Sequence, residues 1–570
     1  MALAETGTGP ISSHSSAAAH QLHLGSQIDR SSVAGRVTLS AVITLISCTF
    51  FMALVAWYAY RRTRGQTGSR DGYFLAGHGL TGTFIAGSLL LTNLSAEQLI
   101  GLNGSAYAFN LSSMAWEVTA AVAIVVMAMF LLPRYLTGGF TTLPEFLESR
   151  FDARVRRATA LLFLLGYALV TIPAVLYSGS LAVLALFDVS GLLQLERDQA
   201  LHVTVWIIGL VGAAYAIFGG LKAVAVSDTL NGAGLLIIGV IVPVLGLVQL
   251  GGGSALEGLA ILTSEHTHKL NAIGTATDPT PFGTLFTGMI LANLFYWGTN
   301  QYVIQRTLGA SSLAEGQKGV LISGFFKLAV PFLMMFPGII AFHLYGGGLI
   351  SMDDAYPTLV RDVLPDYLGG FFLAVLLGAV LSSFNSLLNS ASTLFAVDLY
   401  QPLRPAASDA ELIRVARIIG TLLALFSFIV APLLQYAPEG LWQLIRRFTG
   451  FYNIPIIAIV TMAVLGGRGT HRVPASGALA AIGFHLVAYG ILTFVWDSGI
   501  HFIHLYALLF ICEIGIMLWF GWRQPALANS PLQRAVIDMT PWRYARPVSG
   551  VLLASMVGLY LVFSRLGLAS

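Results

Sequence analysis

Long apolar segments recur along almost the whole chain, and they restrict it to a helical membrane protein. A helix of about 20 apolar residues crosses the roughly 30 Å hydrocarbon core of a bilayer with its backbone polar groups bonded inside the segment. The fold class is therefore an all-α polytopic membrane protein of about 14 transmembrane helices. The predicted spans lie at approximately 37–60, 80–109, 112–136, 157–187, 200–218, 228–251, 283–305, 318–346, 368–395, 413–433, 440–465, 473–494, 501–521 and 547–566.

The composition excludes a soluble protein. Hydrophobic residues make up 56% of the chain and charged residues 10%, whereas about a quarter of the residues in a soluble domain are charged. The sequence contains no pattern typical of a nucleotide or zinc site, and the polar residues inside the spans offer no nucleophile–base pair or metal-ligand set. We therefore predict a transporter rather than an enzyme, without a cofactor and without a nucleic-acid partner.

The distribution of basic residues predicts the orientation of the spans. Lys and Arg are enriched in cytoplasmic loops. If the amino terminus lies outside, most of the 30 basic residues, Arg306 among them, fall in inner loops. The beginning of the chain is rich in Ser, Ala, Gly and His, which predicts a disordered tail over 1–36. An extra first helix and an inner loop follow at 37–70.

The remaining spans form two groups of five and a final group of three. Because five is an odd number, the second group enters the membrane with the opposite orientation, which is the arrangement of an inverted-topology repeat. We predict the two repeats at 71–251 and 283–465, with an outer loop at 252–282 between them. Three additional transmembrane helices occupy 466–570.

Polar residues interrupt several spans, and the second span is the most affected. The stretch 91–104 contains six polar residues and two glycines, which a continuous lipid-facing helix does not hold cheaply. It predicts a broken helix that lines a cavity, or else a polar face that packs against another helix. Glu117 and Lys327 lie deep in other spans, where they either form a structural salt bridge, line one aqueous cavity, or do both.

Two further spans carry side chains suited to a sugar and to sodium. The stretch 293–302 interleaves amides and aromatic rings, and such a mixture suits sugar hydroxyls and the apolar face of a pyranose. The same mixture also occurs at helix interfaces. In the ninth span, Ser382, Ser383, Asn385 and Ser386 offer oxygen ligands of the kind that sodium prefers, unless the serines bond back to their own helix.

Several short motifs, in order from about residue 70 to 465, resemble the sodium/solute symporter family in its sodium/glucose cotransporter branch. The resemblance implies a LeuT-type 5+5 inverted repeat, alternating access around a site at mid-membrane, and sodium as the coupling ion. It also implies a sugar as the small-molecule partner and the plasma membrane as the location. The motifs are Asp71-Gly-Tyr-Phe-Leu-Ala-Gly77, Asn93-Leu-Ser-Ala-Glu-Gln-Leu-Ile-Gly101, Tyr296-Trp-Gly-Thr-Asn-Gln-Tyr302, Glu315-Gly-Gln-Lys318 and Leu388-Asn-Ser-Ala-Ser-Thr-Leu-Phe395.

The resemblance also assigns roles to individual positions. It implies that sodium binds the carbonyls of Leu91, Leu94 and Ala379 and the hydroxyls of Ser382 and Ser383. A second sodium would bind Asp228, Asn385 and Ser386, although Asp228 equally suits the N-cap of the sixth span. The sugar site falls on Gln98, Glu117, Asn293 and Lys327, with Tyr296 stacking as the inner gate. The outer gate falls on Leu102, Trp116 and Trp442.

Arg446 departs from the family pattern, because sugar-transporting relatives have a glutamine at this position. A guanidinium inside a span stays charged and needs an anion, carbonyls or a wet cavity. We expect internal pairing with Glu117 or Glu97, which leaves a site for a neutral sugar. In the alternative, Arg446 binds an acidic sugar or another organic anion. A membrane sugar sensor is a further alternative, but a sensor usually adds a soluble output domain.

Overall fold

A computed structural model describes residues 30–63, 69–187, 189–349, 351–436, 441–465, 473–496, 499–523 and 537–569. Within these ranges the chain is helical, and its β-structure is limited to isolated bridges from Leu80 to Ala310 and from Ser312 to Asp538. The first helix begins at Arg30, earlier than the predicted residue 37. The rest of the predicted tail, residues 1–29, lies outside the described residues.

Eighteen helical segments organise the described chain, together with shorter turns. In chain order, α1 to α9 are Arg30–Thr63, Gly82–Asn93, Ala96–Ala108, Leu111–Gly138, Leu143–Arg150, Ala153–Leu184, Arg197–Leu250, Ala255–Ser264 and Gly288–Gly298. Helices α10 to α18 are Gln301–Leu308, Leu313–Tyr345, Ala355–Val363, Gly369–Thr393, Asp409–Val430, Leu441–Leu465, Ala475–Gly490, Phe502–Arg523 and Ala545–Val562.

Among the described residues, 11 helices are long and apolar enough to cross a membrane, or 12 if the bent pair α2–α3 counts as one span. The chain is thus a multi-pass membrane protein. The two other predicted spans, 200–218 and 283–305, fall on the first part of α7 and on the short consecutive helices α9 and α10. The number fourteen, the inverted repeat and the segment boundaries stay predictions.

Helix α7 joins two predicted spans, 200–218 and 228–251, without a loop. A straight helix of its 54 residues would extend roughly 80 Å, far more than a bilayer core. The helix breaks at Gly220, whose φ of 63° and ψ of −177° lie in a region that is essentially restricted to glycine. This break separates the two predicted spans.

The bend between α2 and α3 occurs inside the polar stretch of the second span. Helix α2 ends at Asn93, and the axes of the two helices differ by 56°. At the bend, the amide of Ser95 donates to the carbonyl of Asn93, so the carbonyl of Leu91 loses the partner that a continuous helix would provide. Helices α7 and α13 pack against α2 at this level. The broken helix that the sequence predicts is therefore present.

Candidate functional site

A cavity opens beside the α2–α3 bend, and we call it the central cavity. Helices α2, α3, α4, α6, α9, α10, α13, α15 and α17 contribute to its wall, so it lies where segments of both predicted repeats meet. The wall is mainly amides, hydroxyls and aromatic rings. The described lining residues are Thr92, Asn93, Ser95, Gln98, Trp116, Thr171, Val175, Ala292, Phe295, Tyr296, Asn300, Tyr302, Ser383, Leu387, Ile445, Arg446, Thr449, Tyr452, Asn453 and Tyr506.

Four of the predicted sugar and gate residues line this cavity: Gln98, Trp116, Tyr296 and Arg446. They come from four different helices, far apart in sequence. Predicted gate residue Leu102 is buried in α3 and does not belong to the described wall. The side chain of Trp442 lies outside the described residues.

The predicted polar residues Glu117, Lys327 and Asn293 lie behind this wall. Glu117 and Lys327, 1% and 3% exposed, form an ion pair, which is the salt bridge anticipated for them. Gln98 connects the pair to the cavity, since its amide nitrogen donates to Glu117 Oε1 at 3.3 Å. Asn293 donates to Thr119 Oγ1 at 3.0 Å. The carboxylate is therefore already engaged by a cation and by an amide of the wall.

Arg446 is the residue that brings a formal charge to the described part of the cavity wall. Its guanidinium carbon lies 4.3 Å from the ring centroid of Trp116, a cation–π distance. It is also attracted by Glu117. The other expected partner, Glu97, has its side chain outside the described residues. Arg446 and Trp116 therefore form one face of the cavity.

The serines of α13 face the bend between α2 and α3. Ser383 Oγ donates to the carbonyl of Thr92 at 3.4 Å, and Ser386 Oγ lies 3.3 Å from Thr92 Oγ1. Ser382 is buried and its hydroxyl interacts with the Asp228 carboxylate on α7. None of these contacts returns to α13, so the alternative of serines bonding back to their own helix does not hold among the described residues. We call Ser382, Ser383, Ser386 and the bend the hydroxyl layer.

The hydroxyl layer suits a hard cation. Ala379 lies on α13 about one turn before Ser383, and the carbonyl of Leu91 is freed at the bend. Leu94 lies at the bend itself, with φ −82° and ψ 80°. Free carbonyl and hydroxyl oxygens are the ligands that hard cations prefer. Ser383 also lines the central cavity, so an ion held here would adjoin the solute.

Asp228 lies in the interior of α7, two turns beyond the break at Gly220. The alternative that it caps the start of the sixth span is therefore wrong, because the helix begins earlier than hydropathy indicates. Asp228 is fully buried and accepts a hydrogen bond from Ser88 Oγ at 2.7 Å. Ser382 also interacts with this carboxylate, and the nearby Asn385 Oδ1 makes no hydrogen bond with the described residues.

Arg306 also belongs to this region, and its placement in an inner loop was wrong. It is 1% exposed, its Nη2 donates to Ser386 Oγ at 2.8 Å, and it is attracted by Asp228. In the sequence, Arg306 directly follows the predicted span 283–305, so hydropathy places it in a loop. Only the tertiary structure shows that it lies near a buried carboxylate. One of the three residues predicted for a second sodium thus already binds a side-chain cation.

Sequence reasoning missed Tyr452, Asn453 and Tyr506, which all line the central cavity. A signal existed for the first two: the stretch 451–453 repeats the aromatic-and-amide mixture that identified the seventh span. No such signal marks Tyr506, because it lies in the three additional helices, beyond the stretch that the family motifs cover.

Three comparisons place this arrangement among known proteins. A model described as "Sodium:solute symporter family" matches residues 73–483. An uncharacterized symporter, YidK of Escherichia coli (strain K12), is 43% identical over 528 residues, which are 92% of this chain and 91% of the relative. A sodium/glucose cotransporter of Vibrio parahaemolyticus is 30% identical over 457 residues, 76% of this chain and 82% of the relative.

A solved structure shares the fold. It is the substrate-bound, outward-open state of a Na+-coupled sialic acid symporter, with a TM-score of 0.73 at 21% identity, and the match covers 86% of this chain and 99% of that one.

Proposed function

This chain belongs to the sodium:solute symporter family, and from that premise we propose that its solute is a sugar, either a monosaccharide or a sugar derivative. Sodium-coupled symport is the activity of the family. The transport would proceed by alternating access in the plasma membrane. The sodium/glucose cotransporter of Vibrio parahaemolyticus, 30% identical, supports this choice of solute.

The observation that carries the proposal is the composition of the central cavity. Gln98, Asn300 and Asn453 bring amides to its wall, and Tyr296 and Trp116 bring aromatic faces. Amides bond the hydroxyls of a sugar, and ring faces cover its C–H surface. Glu117 and Lys327, behind Gln98, would polarise that amide and hold its orientation. Such a wall recognises a polar, uncharged ring better than an apolar solute or a bare cation.

The hydroxyl layer supports the proposed coupling. We assign the primary sodium to the carbonyls of Leu91, Leu94 and Ala379 and to Ser382 and Ser383. Because Ser383 belongs to both the layer and the cavity wall, an ion bound there would stabilise the same arrangement of α13 and the bend that binds the solute. Each ligand would thus raise the affinity for the other, as coupling requires.

We assign Tyr296 as the inner gate, and Leu102, Trp116 and Trp442 as the outer gate. Tyr296 packs edge-on against Trp297 and Tyr302, with ring centroids 5.6 and 5.9 Å apart. It is partly buried and lines the cavity. A small rotation of its ring would therefore change both the stacking on the solute and the width of the exit from the cavity.

A second candidate is the sodium-coupled symport of an acidic sugar or another organic anion. Arg446 favours it, because this cation faces the cavity together with Trp116. A guanidinium binds a carboxylate or sulfonate through two parallel hydrogen bonds. Glu117 is already paired with Lys327, so its negative charge is only partly available to balance the charge of Arg446.

Uptake into proteoliposomes tests both candidates. The purified protein would be offered radiolabelled galactose, glucose and glucuronate, each with an inward sodium gradient and with the same gradient made of potassium. We expect sodium-dependent accumulation of a neutral hexose. Accumulation of glucuronate alone would select the second candidate, and no sodium-dependent uptake of any of the three would contradict the proposed solute class.

A further inference from the structure

A buried pair of titratable side chains lies in the helices that follow the predicted repeats. His485 on α16 and Glu513 on α17 are both fully buried, and His485 Nδ1 lies 2.5 Å from Glu513 Oε1. Neither residue lines the central cavity or belongs to the hydroxyl layer. The sequence gives no reason for an acid and an imidazole at these two positions, each inside an otherwise apolar helix.

The contacts fix the number of protons that the pair holds. His485 Nε2 lies 3.0 Å from the carbonyl oxygen of Gly450, and a carbonyl only accepts, so Nε2 carries a hydrogen. The short contact from Nδ1 to Glu513 then needs a second proton, either on the ring or on the carboxyl. The pair therefore holds one proton more than a neutral imidazole beside a carboxylate, and its formal charge is zero.

Removing that proton leaves a negative charge in a place without solvent. A neutral imidazole has one hydrogen on its ring nitrogens, so it satisfies either Gly450 or Glu513, and a lone pair then faces the other oxygen. Burying an uncompensated charge is costly. Proton loss therefore breaks one of the two contacts. The remaining ring hydrogen stays with Glu513, because a carboxylate is a stronger acceptor than a carbonyl, so the contact from α16 to Gly450 on α15 is the one lost.

Gly450 lies on the part of α15 that carries Arg446. Three donors from α16 and α17 hold this segment: His485 on Gly450, Tyr489 Oη on the Arg447 carbonyl at 2.8 Å, and Tyr506 Oη on the Arg446 carbonyl at 2.8 Å. The carbonyls at 446, 447 and 450 belong to little more than one turn of α15. A Cβ at 450 would stand 2.2 Å from Tyr489 Oη, so glycine permits this close contact.

We propose that His485 and Glu513 form a buried proton-binding site, and that the bound proton holds the Arg446 segment of α15 against α16 and α17. The ligand class of this site is the proton itself. Because the segment forms part of the wall of the central cavity through Arg446, Thr449 and Tyr452, the proton and any ligand that needs this wall stabilise each other.

Glu513 is the one acidic side chain on the described helices that surround the pair. Among the described residues, α16 contacts α6, α15 and α17, and α17 also contacts α9. The other titratable or charged side chains on these packed elements are cations, tyrosines, one histidine and one cysteine. They are Arg154, Arg156, Arg157, Tyr167, Tyr177, Tyr296, Arg446, Arg447, Tyr452, Tyr489, His504, Tyr506, Cys512 and Arg523.

The variant Glu513→Gln removes the additional proton but keeps both hydrogen bonds of His485. The introduced amide donates to Nδ1, and a neutral imidazole then donates from Nε2 to Gly450, so both contacts form without the additional proton. This variant should keep the segment in place at every pH. Cys512→Ser, which changes the preceding residue on α17, serves as the matched control.

Two measurements on the full chain in liposomes test the proposal without a transported solute. The first is infrared difference spectroscopy between pH 6 and pH 9. We expect carboxyl and imidazole bands in the wild type and in Cys512→Ser that are absent from Glu513→Gln. Identical spectra for all three proteins would show that the pair binds no exchangeable proton in this range and would overturn the proposal.

The second measurement follows the cavity wall. A cysteine replaces Thr449 in a background lacking Cys48 and Cys512, and its labelling rate by a methanethiosulfonate is measured over the same pH range with Glu513 intact and with Glu513→Gln. We expect the ratio of the two rates to change by at least about fivefold, a typical coupling strength. A ratio that stays constant would mean that the proton does not hold this segment. Because neither measurement uses a sugar, failure of the proposed solute leaves both outcomes readable.

Discussion

The central cavity and the hydroxyl layer share Ser383 but differ in the kind of polar group that they present. In the cavity, Gln98 and Glu117 are hydrogen-bonded to each other, and Glu117 is also paired with Lys327. The wall oxygens Gln98 Oε1 and Asn453 Oδ1 make no hydrogen bond with the described residues, and such amide oxygens suit the hydroxyl groups of a sugar. The layer instead presents serine hydroxyls and the carbonyls of the bend, which suit a hard cation.

The largest effect is expected from Ser382→Ala combined with Ser383→Ala, which removes two oxygens from the hydroxyl layer. Each hydrogen bond or ligand to a charge contributes about 1.5–3 kcal/mol, so the sodium concentration for half-maximal uptake should rise by about a hundredfold or more. Sodium titration of initial uptake rates measures it. Ser180→Ala is the control, because that buried hydroxyl bonds back to the carbonyl of Leu176 on its own helix. Unchanged sodium dependence in the double variant would remove the layer from the coupling mechanism.

A substitution in the central cavity should act on the solute instead. Arg446→Gln restores the glutamine of the sugar-transporting relatives. If Arg446 pairs internally, as we expect, this variant still accumulates a neutral hexose. If it binds an anionic solute, loss of a charge-assisted contact lowers uptake of that solute by about ten- to a hundredfold. Uptake of galactose and glucuronate by both proteins decides between the two. Arg447→Gln is the matched control, since Arg447 lies about 100° further around the helix and is absent from the described lining.

Tyr296→Ala tests whether the aromatic wall is a gate or only packing. The truncation removes a stacking surface that contributes about 0.5–1.5 kcal/mol and opens the path below the solute. We expect the apparent affinity to fall by up to about tenfold and the accumulation ratio to approach one, while Tyr296→Phe keeps most of both. If the alanine variant accumulates solute to the wild-type level at steady state, Tyr296 is a packing residue and not a gate.

The smallest effect on rate, but a clear effect on coupling, is expected from Asp228→Asn. We propose two sodium ions per solute, with the second near Asp228, Asn385 and Ser386. Removing the carboxylate charge should lower the ratio to one, which reversal-potential measurements in proteoliposomes detect. A wild-type ratio of one would contradict the second site. In that case Arg306, which donates to Ser386, would balance the charge of Asp228 in place of a second sodium ion.

Hydropathy predicted the spans well where a helix is continuous, as for 112–136 against Leu111–Gly138 and 547–566 against Ala545–Val562. It separated α7 into two spans but missed that they join at Gly220, because transfer free energy does not report backbone dihedral angles. It also read 283–305 as one span, whereas the helix is interrupted between α9 and α10 at Thr299 and Asn300.

The candidate site shows the same division between local and tertiary information. Gln98, Trp116, Tyr296 and Arg446 were predicted because unusual residues inside apolar spans are visible locally, and family motifs align them. The roles of the buried Arg306 and of the Tyr506 hydroxyl depend on partners 80 and 60 positions away in the sequence, Ser386 and the Arg446 carbonyl. No local pattern contains that information, which is why the sequence misplaced the first and did not identify the second.

The break at Gly220 has a consequence for how the membrane topology can be mapped and how the chain inserts. Two predicted crossings are joined there by a glycine in a backbone conformation that other residues avoid, and a Cβ at this position would lie 3.1 Å from the carbonyl oxygen of Tyr73. There is no spare segment to accept an epitope tag, a protease site or a reporter fusion. The two crossings should therefore leave the translocon together as one hairpin, and a reporter inserted between them would record a disrupted protein rather than the side of the membrane.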